Sequence, residues 1–253
     1  MGKIISFSNQ KGGVGKTTSA VNISAALTKK KKKVLLIDLD SQGNATSGVG
    51  ISRREVEYSV FDLLTGEAEA KDAIMSTEFP NLDLIPSSLD LAGAELNLAD
   101  VEKRNELLKN ALSSVVDAYD YIIIDCPPSL GTLTVNALVA SHGVIIPMTC
   151  EYYSLEGLSQ LMLTVSQVKK LYNPTLDVTG ILITMYDKRL NLAKQVLAEV
   201  DKYYSDKLFK TTVARNIRIT EAPSYGKPVV FFDKYSKGAI AYDKVASELL
   251  KRI

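Results

Sequence analysis

Nine residues, Gln10-Lys11-Gly12-Gly13-Val14-Gly15-Lys16-Thr17-Thr18, constrain this chain more than any other stretch. They follow the apolar run Ile4-Ile5-Ser6-Phe7 and lead into a helical pattern over residues 17–29. Strand, glycine-rich turn and helix in that order build a cradle for an anion. Glycines let the backbone curl around a phosphate without Cβ clashes, and the helix N-terminus adds partial positive charge. We therefore expect Gly12, Gly13, Val14, Gly15, Lys16, Thr17 and Thr18 to hold a nucleotide. Lys16 would reach the β- and γ-phosphates, and the Thr17 hydroxyl would ligate Mg²⁺. The usual pattern G-x-x-x-x-G-K-[ST] fails at its first glycine, where Gln10 stands, and a second lysine, Lys11, opens the loop.

That lysine is badly placed to curl onto phosphates already covered by its own backbone. It would serve instead to cross to a nucleotide held by a facing subunit, neutralising charge there as an arginine finger does. The plain alternative is an ordinary loop preceded by a solvated lysine. The spacing K-G-G-x-G-K-T-T resembles the deviant Walker A motif of the ParA/MinD group of dimerising ATPases. The resemblance implies the trans role for Lys11.

Apolar β-rich runs alternate with helical patterns along the chain. Strands are expected at residues 3–8, 33–38, 82–86, 120–125, 143–148, 178–184 and 208–213, with a last one at 228–231. Helices are expected at 17–29, 102–116, 155–171, 190–203 and 239–252. Near-continuous apolar runs such as Val34-Leu35-Leu36-Ile37 and Tyr121-Ile122-Ile123-Ile124 fit parallel strands covered on both faces. The expected fold is a doubly wound α/β sheet, mainly parallel, with helices on both faces and sites at the carboxyl ends of its strands. No linker, repeat or low-complexity tract divides residues 1–253, so one P-loop domain is expected.

Two carboxylate segments complete the expected active centre. The apolar run ending in Asp125, before Cys126-Pro127-Pro128-Ser129, has the form of a Walker B strand. Asp125 would hold the Mg²⁺ shell through water, since Mg²⁺ keeps several of its waters. Pro127, Pro128 and Gly131 read as a switch sensing the γ-phosphate. The second segment is Asp38-Leu39-Asp40-Ser41-Gln42-Gly43-Asn44, where period-two alternation puts both acids on one side of an extended stretch. Acids beside a triphosphate are costly unless paired with Mg²⁺, a lysine or a reacting water. We assign Asp40 to polarising the attacking water, and Asp38 to indirect support of the metal and its loop.

Composition narrows the function classes. The chain's 253 residues, 46% hydrophobic, suffice for one α/β domain with a large core. Its two cysteines, Cys126 and Cys150, form no C-x-x-C pair and suit a reducing cytosol. His142 stands alone before an apolar run and reads as structural. No segment offers ~18 unbroken apolar residues, so no membrane span is expected. The start is too short of hydrophobic length for a signal peptide. Met1-Gly2-Lys3-Ile4-Ile5-Ser6 matches a myristoylation pattern by chance, because it also forms the strand feeding the loop. Residues 29–33 carry a lysine run that closes the loop helix, where cations complement the dipole. The apolar stripe Tyr242, Val245, Ala246, Leu249, Leu250, Ile253 reads as core; the minority reading is a membrane-binding helix.

The resemblance then widens. Ala45-Thr46-Ser47-Gly48, Pro127-Pro128-Ser129-Leu130-Gly131, Cys150-Glu151-Tyr152-Tyr153-Ser154-Leu155-Glu156-Gly157-Leu158 and Glu221-Ala222-Pro223-Ser224-Tyr225-Gly226-Lys227-Pro228 all resemble chromosomal ParA/Soj proteins. Asp38 to Asn44 is similar to the family's D-x-D-P-Q-G-N, with Ser41 in place of the proline. With the loop so near Met1, the small single-domain type is expected. The resemblance implies ATP/ADP and Mg²⁺ as ligands, and an ATP-bound homodimer that binds DNA without sequence preference. Hydrolysis, stimulated by a ParB-type centromere-binding partner, would release it. The site would be cytoplasmic, at the nucleoid. Lys11 and Gly12 would lie at the dimer face, and a side chain at Gly12 would obstruct it. Val213-Ala214-Arg215-Asn216 resembles the adenine-binding stretch, with Asn216 as base contact and Ala214 where the family often has proline.

DNA contact has modest support in the charge pattern. The net charge is only +1, yet residues 184–237 hold eleven Lys or Arg against six Asp or Glu, a net of +5, leaving −4 elsewhere. Local positive charge is what phosphate contact requires. Arg189 and Arg218 match the family's DNA-binding positions; Lys188 and Lys227 are weaker candidates. Two other readings keep the same loop. A MinD-like membrane-cycling ATPase would need an exposed amphipathic tail, and a metabolic ligase or iron-protein-like reductase would need acceptor or cluster ligands.

Overall fold

A computed structural model describes residues 2–253. Its strands are β1 (Lys3–Phe7), β2 (Val34–Asp38), β3 (Met75–Ser76), β4 (Leu82–Ile85), β5 (Tyr121–Asp125), β6 (Gly143–Thr149) and β7 (Asp177–Thr184). They form one sheet in the order β3-β4-β2-β5-β1-β6-β7. All neighbours are parallel except the short edge strand β3, which runs antiparallel to β4. The central strands β2, β5 and β6 are buried at every residue.

Period-two alternation explains that burial. Ile5, Phe7, Leu36 and Ile123 point to one face and pack with Ile23 and Leu27 of the Lys16–Lys29 helix and Tyr242 and Val245 of the Lys237–Leu249 helix. Ile4, Leu35, Ile37, Ile122 and Ile124 point to the other, against Leu108, Leu112, Leu133 and Ala137. A third cluster joins Val144, Ile146, Ile181 and Ile183 to Leu158, Leu161, Val196 and Val200. Connections from β1 and β5 leave toward opposite sides of the sheet, so a crevice opens at their carboxyl ends.

Three expected elements differ. Residues 208–213 are not a strand: they make scattered bonds to β7, from Phe209 N to Ile181 O (2.9 Å) and Val213 N to Ile183 O (2.9 Å). The C-terminal helix region takes the groups a ladder would use. The Arg252 guanidinium donates to the Lys207 and Leu208 carbonyls, and Lys210 N donates to Glu248. Residues 228–231 are not a strand either, because Val229 N donates to Asn22 Oδ1 at 2.7 Å and Phe231 and Phe232 bond back to Pro228 O, closing a helical turn at Val229–Phe232. The helix expected over 102–116 is regular only at Leu107–Leu112. Lys103 at φ 54° breaks its front, and Leu108 N is taken by Asn136 Oδ1. A buried helix at Thr132–Ala140 was not foreseen.

The stripe Tyr242, Val245, Ala246, Leu249 is buried against the loop helix, as core rather than as a membrane face. Among the described residues no helix is long and apolar enough to cross a membrane. His142 is structural: its N–H and Nδ1 bridge to Ile4 O and Ile4 N at 2.8 and 3.0 Å.

Candidate active site

The loop after β1 is held from outside and left open inside. Asn9 Nδ2 donates to Pro147 O at 2.8 Å, and its Oδ1 accepts from Lys11 N at 3.0 Å. Behind the loop, Thr184 Oγ1 donates toward Val14 O (2.8 Å) and Met148 O (3.0 Å). Gly13 and Gly15 sit at φ 73° and 85°, a region that costs an L-residue ~1–2 kcal/mol. The Lys16–Lys29 helix starts at Gly15 with no side-chain cap and no acid in its first turn. Its N–H groups and dipole are therefore available to phosphate oxygens. Lys16 Nζ rests on the Lys11 carbonyl at 3.2 Å, and burial lowers its pKa, opposed by Asp125.

The sheet register brings the acids together. Asp38 pairs with Asp125, and Asp125 with Phe7, in one row at the carboxyl ends of β2, β5 and β1. Asp38 is fully buried and accepts from Thr46 N (2.7 Å) and Thr46 Oγ1 (2.8 Å), pinning the short Asn44–Gly48 helix. Burial nonetheless pushes its pKa up to about 6. Asp125 differs. Both its carboxylate oxygens are buried with no hydrogen-bond partner among the described residues. Burial first, then the charge of Asp38, pushes its pKa well up, and Thr17 and Lys16 only oppose this. A carboxylate orphaned beside a threonine hydroxyl and an uncapped helix suits a hard cation, because Mg²⁺ takes one or two carboxylates and fills its shell with water and phosphate oxygens. Thr17 and Asp125 would hold it, with Asp38 behind.

β2 ends at Asp38, so Asp40 lies in a turn and not on an extended stretch. Its Oδ1 accepts from Gln42 N at 3.0 Å, its carbonyl accepts from the Ser87 hydroxyl, and the half-buried side chain stands at the mouth of the site. Lys11 is at the rim, its ammonium bonded to Glu151 of the same chain.

Beside Gly15 and Thr18 a cavity of about 490 Å³ opens, lined by Met185, Asn216, Ile217, Pro223 and Tyr242. A pocket with apolar walls and a few polar groups, among them Thr220 and Arg215, next to a phosphate loop fits a nucleobase. Asn216 caps the Ile217–Glu221 helix, accepting from Arg218 N at 3.0 Å, and leaves its amide nitrogen unbonded among the described residues. Arg189 is 84% exposed and bidentate to Asp187, through Nε (2.9 Å) and Nη2 (2.6 Å), which holds the Asp187 carboxyl down at about 2. Arg218 is half-exposed and bonded to Glu221 (2.8 Å) and Asp233 (3.4 Å).

Sequence reasoning missed Asn9 and Thr184 and gave Thr46 and Glu151 no role of their own; their partners Pro147, Ser87, Val14, Met148 and Lys11 lie far off in sequence. Thr184 alone left a signal, a hydroxyl ending an apolar strand where sites collect. The next residue, Met185, is held at φ 50° on the cavity wall, a backbone state rare for methionine.

Sheet order, uncapped loop helix and orphaned acid define a P-loop nucleotide-binding protein. A family model described as an AAA domain matches residues 2–178. The chain is 54% identical to the sporulation initiation inhibitor protein Soj of Bacillus subtilis (strain 168), covering 98% of each chain. It is 48% identical to the chromosome-partitioning ATPase Soj of Treponema pallidum (strain Nichols), covering 100% of this chain and 98% of that one. The crystal structure of cobyrinic acid a,c-diamide synthase from Mycobacterium smegmatis, with bound ATP analog and magnesium, superposes at TM-score 0.87 with 38% identity, covering 99% of this chain and 95% of that one. The chain belongs to the Soj/ParA family of chromosome-partitioning ATPases.

Proposed function

We propose that this ATPase is a dimerising switch whose ATP-bound form binds DNA without sequence preference and whose hydrolysis resets it. What supports the dimer is Lys11, an ammonium on the rim of the loop and not folded onto the loop's own amides, in a site otherwise complete for one nucleotide. Adenine enters the cavity by Asn216, the triphosphate lies along Gly12 to Thr18, and Lys16 leaves the Lys11 carbonyl for the phosphates. Mg²⁺, held by Thr17 and Asp125, screens the phosphate charge. Asp40 accepts a hydrogen bond from the attacking water, whose oxygen takes the γ-phosphorus as ADP leaves. Lys11 of one subunit stabilises charge on the nucleotide of the other, so turnover needs the dimer. Arg189 and Arg218 contact DNA phosphates; Arg189 is 84% exposed and Arg218 half-exposed, so phosphates reach both in competition with Asp187, Glu221 and Asp233. A ParB-type protein on a centromere-like site is the expected stimulating partner, and the nucleoid the expected location.

The likeness to a diamide synthase at 38% identity favours a second reading, an amide-forming ligase that uses ATP to activate a carboxylate. Turnover of ATP alone separates the two. A switch hydrolyses ATP slowly with no acceptor and gains from a partner protein; a ligase stays idle without one. A membrane-cycling role is disfavoured by the burial of the C-terminal stripe. Static light scattering with ATP, ADP and no nucleotide tests the dimer. The mass should double with ATP only, and Lys16→Ala should abolish the doubling. A chain monomeric in all three states refutes the switch.

A further inference from the structure

The lysine that the proposed reaction needs in the opposite subunit is held in its own. Lys11 Nζ bonds to the Glu151 carboxylate, just past the end of β6. One residue earlier, the Gln10 side-chain amide bonds to Gln160 on the Ser154–Leu171 helix. Two adjacent loop side chains are thus strapped to the segment after β6 and to the helix that follows it, while no side chain of residues 12–18 takes part. Neither member of the Lys11–Glu151 pair is buried, at 34% and 55% side-chain exposure, so the pair is open to exchange with another anion. Around it the surface is unpartnered: a Cβ at Gly12 would meet nothing within 4 Å, and Tyr152 and Tyr153, next to Glu151, are 73% and 70% exposed.

We propose that Glu151 is a positioning residue that stations Lys11 at the rim of the monomer and must release it when two ATP-bound subunits meet. This rests on the trans role of Lys11. The ammonium cannot stay on Glu151 and reach a second nucleotide at once. Each dimer therefore breaks two such pairs and replaces them with lysine–phosphate contacts. Glu151 sets the protein concentration at which ATP produces dimers.

The test is the concentration dependence of dimer formation and of steady-state ATP turnover in four proteins: wild type, Glu151→Gln, Lys11→Ala and the double variant. Half-exposed ion pairs of this kind change an equilibrium by about three-fold. With two pairs broken per dimer, Glu151→Gln should tighten ATP-dependent dimerisation by about ten-fold and move the turnover curve to lower protein concentration. Nucleotide affinity of the monomer, read with a fluorescent ADP, should not move. Glu151→Asp should return the curve toward wild type. In the Lys11→Ala background Glu151→Gln should have no effect, because a residue acting through Lys11 has nothing left to act on. An unchanged or weakened dimer in Glu151→Gln overturns the proposal, as does an effect that survives in Lys11→Ala. If Lys11→Ala itself dimerises and turns over like wild type, the trans role fails and the proposal falls with it.

Discussion

Gly12 separates what the monomer needs from what a dimer would need. Three glycines line the loop, and the structure gives them different tolerances. Gly15 is at φ 85°, and a Cβ there would meet Thr184 Cγ2 at an ordinary contact distance of 3.5 Å, so the backbone conformation is what resists a side chain. Alanine there meets the ~1–2 kcal/mol left-handed penalty, which lowers the melting temperature by roughly 2–8 °C in a chain of this size. Gly12 has no such φ, and a Cβ would find nothing within 4 Å. Gly12→Val should therefore shift the stability of the nucleotide-free protein by no more than about 0.5 kcal/mol, or roughly 2 °C. The same valine should abolish the mass doubling proposed with ATP, because in the proposed dimer two loops approach across that surface. Thermal unfolding by circular dichroism and light scattering with ATP measure the two halves. A melting temperature lowered by as much as Gly15→Ala would show that Gly12 serves the monomer fold. A Gly12→Val protein that still dimerises with ATP would refute the face-to-face arrangement.

Asp125→Asn should raise the melting temperature of the nucleotide-free protein at neutral pH. It removes a carboxyl whose ionisation burial and the Asp38 charge oppose, and each unit of upward pKa shift so relieved is worth about 1.4 kcal/mol. It should also abolish Mg²⁺-stimulated ATP turnover; a destabilised apoprotein would mean that the carboxylate has an internal role. Asp40→Ala should keep ATP-dependent dimers yet slow hydrolysis by about 100-fold or more, and wild-type turnover would remove Asp40 from the reaction. His142 is the sole histidine, so its ring gives one NMR titration. Burial and the Lys3 ammonium lower its pKa below the usual 6.5. The unfolded chain then binds the proton more readily. The histidine's contribution to stability is full above pH ~6.5 and is lost as pH falls through the lower folded value. His142→Gln should flatten that acid limb, and a midpoint at or above 6.5 would contradict the geometry.

Much of the site was legible because local pattern and register agree. The order of strand, glycines, Lys16 and Thr17 has one geometry that satisfies it, and parallel pairing of β2 with β5 then sets Asp38 beside Asp125. What escaped was decided by distant groups. The helix at Thr132–Ala140 receives its cap from Glu95, which accepts from Thr132 N and Oγ1 at 2.6 Å, and its burial on nearly all sides leaves no period to read. Residues 208–213 have strand composition, but Arg252 and Glu248 take their backbone groups. Glu151 was read as part of a family-like segment, and its bond to Lys11 exists only because β6 lies beside β1. Arginines 189 and 218 are expected as DNA contacts from the sequence, and their ion pairs with Asp187, Glu221 and Asp233 carry no sequence signal of their own.

The central claim is that ATP turns this chain into a DNA-binding dimer. The measurement that tests it most directly is binding to a random-sequence duplex with ATP, ADP and no nucleotide, at two salt concentrations. The account predicts binding with ATP alone, weakening steeply as salt rises because phosphate contacts release counterions. It also predicts loss of that binding in the Arg189→Ala/Arg218→Ala double variant, with the ATP dimer intact. Equal binding in all three nucleotide states, or none in any while the ATP dimer forms, would contradict it.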